Sequence, residues 1–142
     1  MSTITQLSIF INNEPGAIAN ISKTLKAENI NLKAFNIAEG SGFGVLRAIA
    51  DDPASAGAKL KKQNIIVKLT DVIGFICPNT SGSLAVVLKQ LSAKGIFIEY
   101  MYSFANGNVA HVVIRPSDFE ACEKVLADMK VDLLAASDLY QL

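Results

Sequence analysis

Apolar positions change their period along this chain, and they do so twice in the same order. Leu7-Ser8-Ile9-Phe10-Ile11 is rich in β-branched and aromatic residues and stops at Asn12-Asn13, which predicts a strand. Ile18, Ile21 and Leu25 then recur at helical spacing, with Lys23, Lys26 and Glu28 on the other side. That pattern predicts an amphipathic helix that starts near Pro15 and ends at Asn29. Ile30 to Ala38 and Phe43 to Ala50 read as two strands joined by a hairpin turn at Gly40-Ser41-Gly42. Asp52-Pro53 supplies an N-cap and a first helical residue for a second helix, which runs to Asn64. From Ile65 the chain is extended again.

The second half follows the same plan. Val72 to Cys77 is a strand, and Leu84, Val87, Leu88 and Leu91 form the inner face of a helix. Ile96 to Phe104 and Val109 to Arg115 are strands around Asn106-Gly107-Asn108. Ser117-Asp118-Phe119-Glu120 reads as a capping box for a helix whose inner face is Phe119, Cys122, Leu126 and Met129. Val131 to Leu134 and Asp138 to Leu142 complete the chain.

Residues match as well as elements. Gly16 and Gly82 are 66 apart, and at that offset Ile21 meets Val87, Leu25 meets Leu91 and Leu32 meets Ile98. Beyond these, an offset of 65 aligns Lys59-Leu60 with Lys124-Val125. Two such copies predict an α+β protein of two ferredoxin-like βαββαβ modules, residues 1–70 and 71–142, with antiparallel sheets and the helices on one face. The boundary has a double character. Asp71-Val72-Ile73 resembles Asp138-Leu139-Tyr140 at the end of the second copy, yet Ile73 to Cys77 aligns with the first strand. Val72 to Cys77 can thus close the first module, open the second, or do both, and no flexible linker separates them. That strand and Val109 to Ile114 are apolar on both sides. A half-wet sheet alternates instead, so the face away from the helices is expected to be covered by another sheet or a second chain.

Composition narrows the function classes. Of the 142 residues, 51% are hydrophobic and 18% charged, and thirteen basic residues balance thirteen acidic ones. A neutral chain lacks the basic footprint of a nucleic-acid or membrane-surface binder. The first ten residues do not form a signal peptide, and no apolar run reaches the length of a membrane span. Two cysteines make no disulfide framework, so the expectation is a reduced, cytoplasmic protein. His111 stands alone in a strand, without a metal-type side chain at ligand spacing. Cys77 and Cys122 have no CxxC partner and read as buried thiols. Gly40-Ser41-Gly42-Phe43-Gly44 begins like a dinucleotide fingerprint, but Val45 takes the third glycine's place and the segment joins two strands. No cofactor, metal or catalytic residue is expected. A small enzyme on this scaffold is the rival, and it needs a convergent acid, base or metal cluster.

The loops that open the first helix of each copy carry the binding chemistry: Asn13-Glu14-Pro15-Gly16-Ala17-Ile18 and Asn79-Thr80-Ser81-Gly82-Ser83-Leu84. A helix N-terminus leaves backbone N–H groups pointing outward, and the helix dipole adds roughly half a positive charge there. Together they suit a carboxylate. An asparagine amide offers an acceptor to an ammonium group and a donor to a carboxylate, so a free α-amino acid fits both features. The first of these segments, with its amphipathic helix and Asn29-Ile30-Asn31-Leu32, resembles the ACT domain, an amino-acid-sensing module. The resemblance covers the whole chain as two tandem copies. It implies paired modules, often edge to edge, with the ligand at their seam. The first copy is most similar to the serine-sensing module of phosphoglycerate dehydrogenase, whose two asparagines correspond to Asn13 and Asn31. In the second copy Asn79 is kept, Phe97 replaces the second asparagine ahead of Ile98, and Ser81 replaces the proline. The implied protein is a stand-alone sensor or regulatory subunit rather than an enzyme. Its expected partners are a free amino acid, a second copy in a homodimer, and an enzyme of amino-acid metabolism. A module for assembly alone, whose loops bind nothing, is the remaining rival.

Overall fold

The computed structural model describes residues 3–140. Their order is β1 (Ile4–Asn12), α1 (Ala17–Ala27), β2 (Leu32–Glu39), β3 (Phe43–Ala50), α2 (Pro53–Lys62), β4 (Val67–Pro78), α3 (Ser83–Ala93), β5 (Ile98–Asn106), β6 (Val109–Pro116), α4 (Phe119–Asp128), β7 (Asp132–Leu133) and α5 (Ala136–Tyr140). The chain is α+β and forms two βαββαβ modules with antiparallel strand pairs. It divides into two units. One comprises 5–70 with 137–140, the other 3–4 with 71–136.

In the unit of 5–70 the strands run β2-β3-β1-β4. Alternate residues of β1 (Leu7, Ile9, Ile11) and β3 (Leu46, Ala48, Ala50) meet Ile21 and Leu25 of α1 and Ala56 and Leu60 of α2 in one core. In the unit of 71–136 the order is β7-β4-β6-β5. There Ile73, Phe75, Val112 and Ile114 pack against Val87 and Leu91 of α3 and Cys122 and Leu126 of α4. These are the strand and helix periods read from the sequence, with one correction. The offset stays at 66 through the second helix. The N-caps Asp52 and Asp118 correspond, as do the fully buried Leu60 and Leu126, so an offset of 65 would turn the apolar face outward.

Helix ends follow the same rule in both units. Asp52 Oδ1 accepts from Ser55 N and Asp118 Oδ1 from Ala121 N, at 3.1 and 3.0 Å. The cap of α4 is therefore Asp118, and no Ser117–Glu120 box forms. Ser117 is drawn off to Phe97, its Oγ accepting from Phe97 N and its N–H donating to Phe97 O. All four long helices end on a residue with positive φ: Asn29, Asn64, Gly95 and Lys130. The next residue donates back to the helix, as in Ile30 N to Leu25 O and Val131 N to Leu126 O, which closes a Schellman turn.

The double character of the boundary resolves within β4, one strand of 12 residues. Ahead of it Ile66 O accepts from Phe10 N, and Thr70 Oγ1 lies 2.9 Å from Ser8 Oγ, so its first part closes the sheet of 5–70. Ile73–Pro78 pair with β6, and Phe75 and Ile76 with β7. Val72 to Cys77 thus opens the second module, and the closing residues lie just upstream. The likeness of Asp71-Val72-Ile73 to Asp138-Leu139-Tyr140 is not structural, because the latter are helical in α5. Leu139 is buried, and the Tyr140 hydroxyl accepts from Thr5 N and donates to Thr5 O.

Apolar residues outside the helix-side cores are buried in the single chain as well. Ile4, Ile49, Val72 and Val113 belong to neither helix-side core, yet all are fully buried. Over β4, a Cβ placed on Gly74 would lie 2.9 Å from Ile4 Cδ1 and 3.0 Å from Leu134 Cδ1. Gly74→Ala should therefore destabilise the protein by about 1–3 kcal/mol through overpacking. Urea unfolding measures this, and an unchanged midpoint would mean that Ile4 and Leu134 do not rest on that glycine.

Candidate functional site

The two loops singled out by the sequence have one geometry. Gly16 caps α1 with φ 88° and ψ −12°, and Gly82 caps α3 with φ 89° and ψ −12°. This is the left-handed region, which glycine enters without a Cβ penalty. Both turns close with the same backbone bond, Ala17 N to Glu14 O at 3.3 Å and Ser83 N to Thr80 O at 3.2 Å. Neither helix start receives a side-chain cap, whereas α2 and α4 are capped by aspartates. Two of the four long helices thus offer their remaining first-turn N–H groups and positive dipole end to an outside acceptor.

The surroundings differ. Asn79 is tied to the β5–β6 hairpin, its N–H donating to Asn108 O and its Nδ2 to Gly107 O, which leaves Oδ1 as an acceptor. Asn13, its exposed counterpart, makes no such bond. Thr80 and Ser83 join hydroxyls at 2.5 Å beside exposed Ser81. Asn31, just ahead of β2, lines an open cleft of about 380 Å³ with Ile18, Leu32, Phe35 and Ile37. So the structure brings Ile18, Asn31 and Leu32 together on one side of α1. Glu14 and Ala17 line a different cleft on its other side, and Pro15 is exposed between them. In the other unit Leu84 and Ile98 are half-buried against the core, and Phe97 is held through its backbone by two bonds to Ser117 and is 68% exposed.

Sequence reading missed the apolar side chains on the sheet edges. Phe35 and Ile37 stand opposite Ala48 and Leu46 in register, so they share the helix-side face of β2. Phe35 is nevertheless 62% exposed. Met101 occupies the matching place on β5. Their signal was the alternation Phe35-Asn36-Ile37 in a strand at the end of the order, where no neighbour covers it.

Groups weighed for catalysis are buried. His111 is buried on β6 and stacks on Phe104, with ring centroids 4.9 Å apart and planes 3° from parallel. Cys77 and Cys122 are free and buried. Burial pushes the Cys122 thiol up to about 11, with Asp118 and Glu123 adding to the effect, which is the reverse of an activated nucleophile. Among the described residues no group of three or more metal-type side chains converges. None of the described helices is long and apolar enough to cross a membrane.

The model of the ACT domain pair family matches residues 2–142. The chain belongs to that family. Among solved structures, the ACT pair is 55% identical to protein BT0572 from Bacteroides thetaiotaomicron, over 99% of this chain and 98% of that one, with a TM-score of 0.93. The ligand-free regulatory subunit of aspartate kinase from Thermus thermophilus shares the fold at 15% identity, with 89% and 91% coverage and a TM-score of 0.61. The corresponding subunit from Thermus flavus does so at 15% identity, 92% coverage of each chain and a TM-score of 0.58. No curated protein matches the sequence.

Two expectations follow for the ACT pair. A Cβ on Gly16 or Gly82 meets nothing within 4 Å, so substitution there is opposed by the backbone and not by crowding. Gly16→Ala and Gly82→Ala should each destabilise by about 1 kcal/mol, read from denaturant midpoints. A loss well below that in both would mean the turns relax out of the left-handed region. The second concerns pH. The folded chain keeps the Cys122 proton that the unfolded chain releases above 9.0. This stabilisation is complete below 9.0 and is lost as pH rises through about 11. Urea titrations across that window should show a steeper decline for the parent than for Cys122→Ala, and parallel curves would refute it.

Proposed function

We propose that this ACT pair is a regulatory protein, not an enzyme, and that it binds a free α-amino acid where one ACT module meets another. The observation that carries this reading is the pair of matching left-handed glycines, each opening a helix with no side-chain cap. The ligand carboxylate docks on the first-turn N–H groups, where the dipole favours negative charge. Its ammonium group needs acceptors, and the asparagine amides Asn13, Asn31 and Asn79 supply them. Phe97 offers an aromatic wall in place of a second amide. The side chain of the ligand lies against apolar surface such as Ile18 and Leu32, and Phe35 and Ile37 give a neighbouring module something to cover.

Regulation then works by population shift. A ligand held by two modules favours the placement in which both contact it, by its difference in affinity between placements. A second copy of the chain is the proposed neighbour at the open β2 edge, and an enzyme of amino-acid metabolism is the proposed recipient of the signal.

A thermal-shift screen against the twenty amino acids tests the class of ligand. At 100 times its dissociation constant a ligand stabilises by about 2.7 kcal/mol, and no shift with any of them would sink the proposal. Asn31→Ala should weaken binding by about 1–3 kcal/mol, since it strips a buried charge of its partner. Loss in Asn79→Ala with no effect in Asn13→Ala would indicate a seam formed within one chain. The opposite result would indicate a seam between two copies. Full affinity in all three variants would remove the assigned residues.

A further inference from the structure

We propose that Asn106 is a site of spontaneous modification: its side chain cyclises onto the backbone nitrogen of Gly107, and the product alters the hairpin that tethers Asn79. Of the asparagines in the chain, Asn106 is the one followed by glycine; the others precede Asn, Glu, Ile, Leu, Thr or Val. A side chain on the following residue crowds the ring that must close, and glycine has none. Asn106, Gly107 and Asn108 are all exposed. The Asn106 side chain and the Gly107 N–H bond to nothing among the described residues. Gly107 N attacks Asn106 Cγ, ammonia leaves, and a cyclic imide forms. Water then opens the imide at either carbonyl. One opening gives aspartate, and the other gives isoaspartate, whose backbone runs through the former side chain and is longer by a carbon. An amide is exchanged for a carboxylate, water is consumed, ammonia is released, and nothing is oxidised or reduced.

Turn geometry explains the glycine and not the asparagine. Asn106 pairs with Val109, so Gly107-Asn108 is a two-residue turn, and Gly107 holds φ 64° at its first position. A Cβ there meets nothing within 4 Å, so the backbone conformation itself calls for glycine. Asn106 is the last residue of β5 and is under no such demand. At the repeat offset its counterpart is Gly40, and the hairpin Gly40-Ser41-Gly42 holds no asparagine. The tether is also confined to the second repeat. Asn79 N–H donates to Asn108 O at 2.8 Å and Asn79 Nδ2 to Gly107 O at 3.2 Å, whereas Asn13 makes no such bonds. Both acceptor carbonyls follow the modified residue directly. A turn this short has no slack, so an extra backbone carbon at position 106 displaces both carbonyls and releases Asn79. The inference does not rest on what the Asn79 loop binds.

Ageing of the full chain is the test. Protein held warm in mildly alkaline buffer, where the attacking amide nitrogen loses its proton more readily, is compared with protein kept cold and slightly acidic. Ion exchange should resolve a growing species with an added negative charge. Proteolytic mapping should place a mass gain of water minus ammonia on the peptide that holds Asn106, in two chromatographic forms. Amide spectra of the aged chain should shift at Asn79 and Asn108, and Asn79 N–H should exchange with solvent faster. Asn106→Gln is the decisive variant. It keeps the amide, but its extra methylene disfavours ring closure, so the acidic species and the Asn79 shift should both be lost. Fresh Asn106→Asp carries the charge without the longer backbone and should leave the Asn79 amide near its parent position. Modification that begins at another asparagine, or ageing of Asn106→Gln at the parent rate, overturns the proposal. So does an unmoved Asn79 amide in protein whose Asn106 has become isoaspartate.

Discussion

Reversal of the chain at the helix ends is the constraint on which the rest of this structure depends. A βαββαβ unit of about 70 residues has little core, and each helix must leave and rejoin the sheet within a few residues. Here every long helix leaves through a left-handed residue whose successor bonds back to the last turn. That bond places Ile30, Ile65, Ile96 or Val131 against its own helix and starts the next strand on the correct face. Two helices also begin on a left-handed glycine. Positions that must hold this backbone are the ones with least freedom in sequence, so chemistry at them carries information.

A helix start can be completed from within or left for something else, and this chain does both. Asp52 and Asp118 close the N-termini of α2 and α4 with their own carboxylates. At Gly16 and Gly82 the side chain that would do so is missing, although the first turns have the same need. The aspartates show that the fold can satisfy a helix start locally. Their absence at the other two starts is thus a property of those loops, repeated in both units with φ values one degree apart.

Much of this was legible because it is periodic. The strand and helix periods mark the cores, and Gly16 with Gly82 marks the repeat. What failed had short-range causes. Ser117 and Glu120 fit a capping box by type, but Ser117 is engaged by the backbone of Phe97, and Asp118 is left as the cap. The likeness of Asp71-Val72-Ile73 to Asp138-Leu139-Tyr140 rested on three residues, too few to distinguish strand from helix. Doubly apolar strands implied cover by another sheet or a second chain, and their residues are already buried in the single chain, while Phe35 and Met101 stay exposed on the outer strands β2 and β5. Which strand ends on an edge follows from the pairing order, and no local pattern encodes that.

Divergence between the repeats is more informative than their likeness. The common backbone demands apolar residues at Leu60 and Leu126 and a left-handed turn after each second helix, and both copies comply. Where the copies differ at equivalent backbone geometry, the fold has stopped dictating the residue. Asn31 against Phe97 is one such place, next to the loops that open the first helices. Asn64 against Lys130 is another, and there the difference runs against local stability. At Lys130 the cost of the left-handed backbone is met within a turn whose next residue, Val131, donates back to Leu126 O.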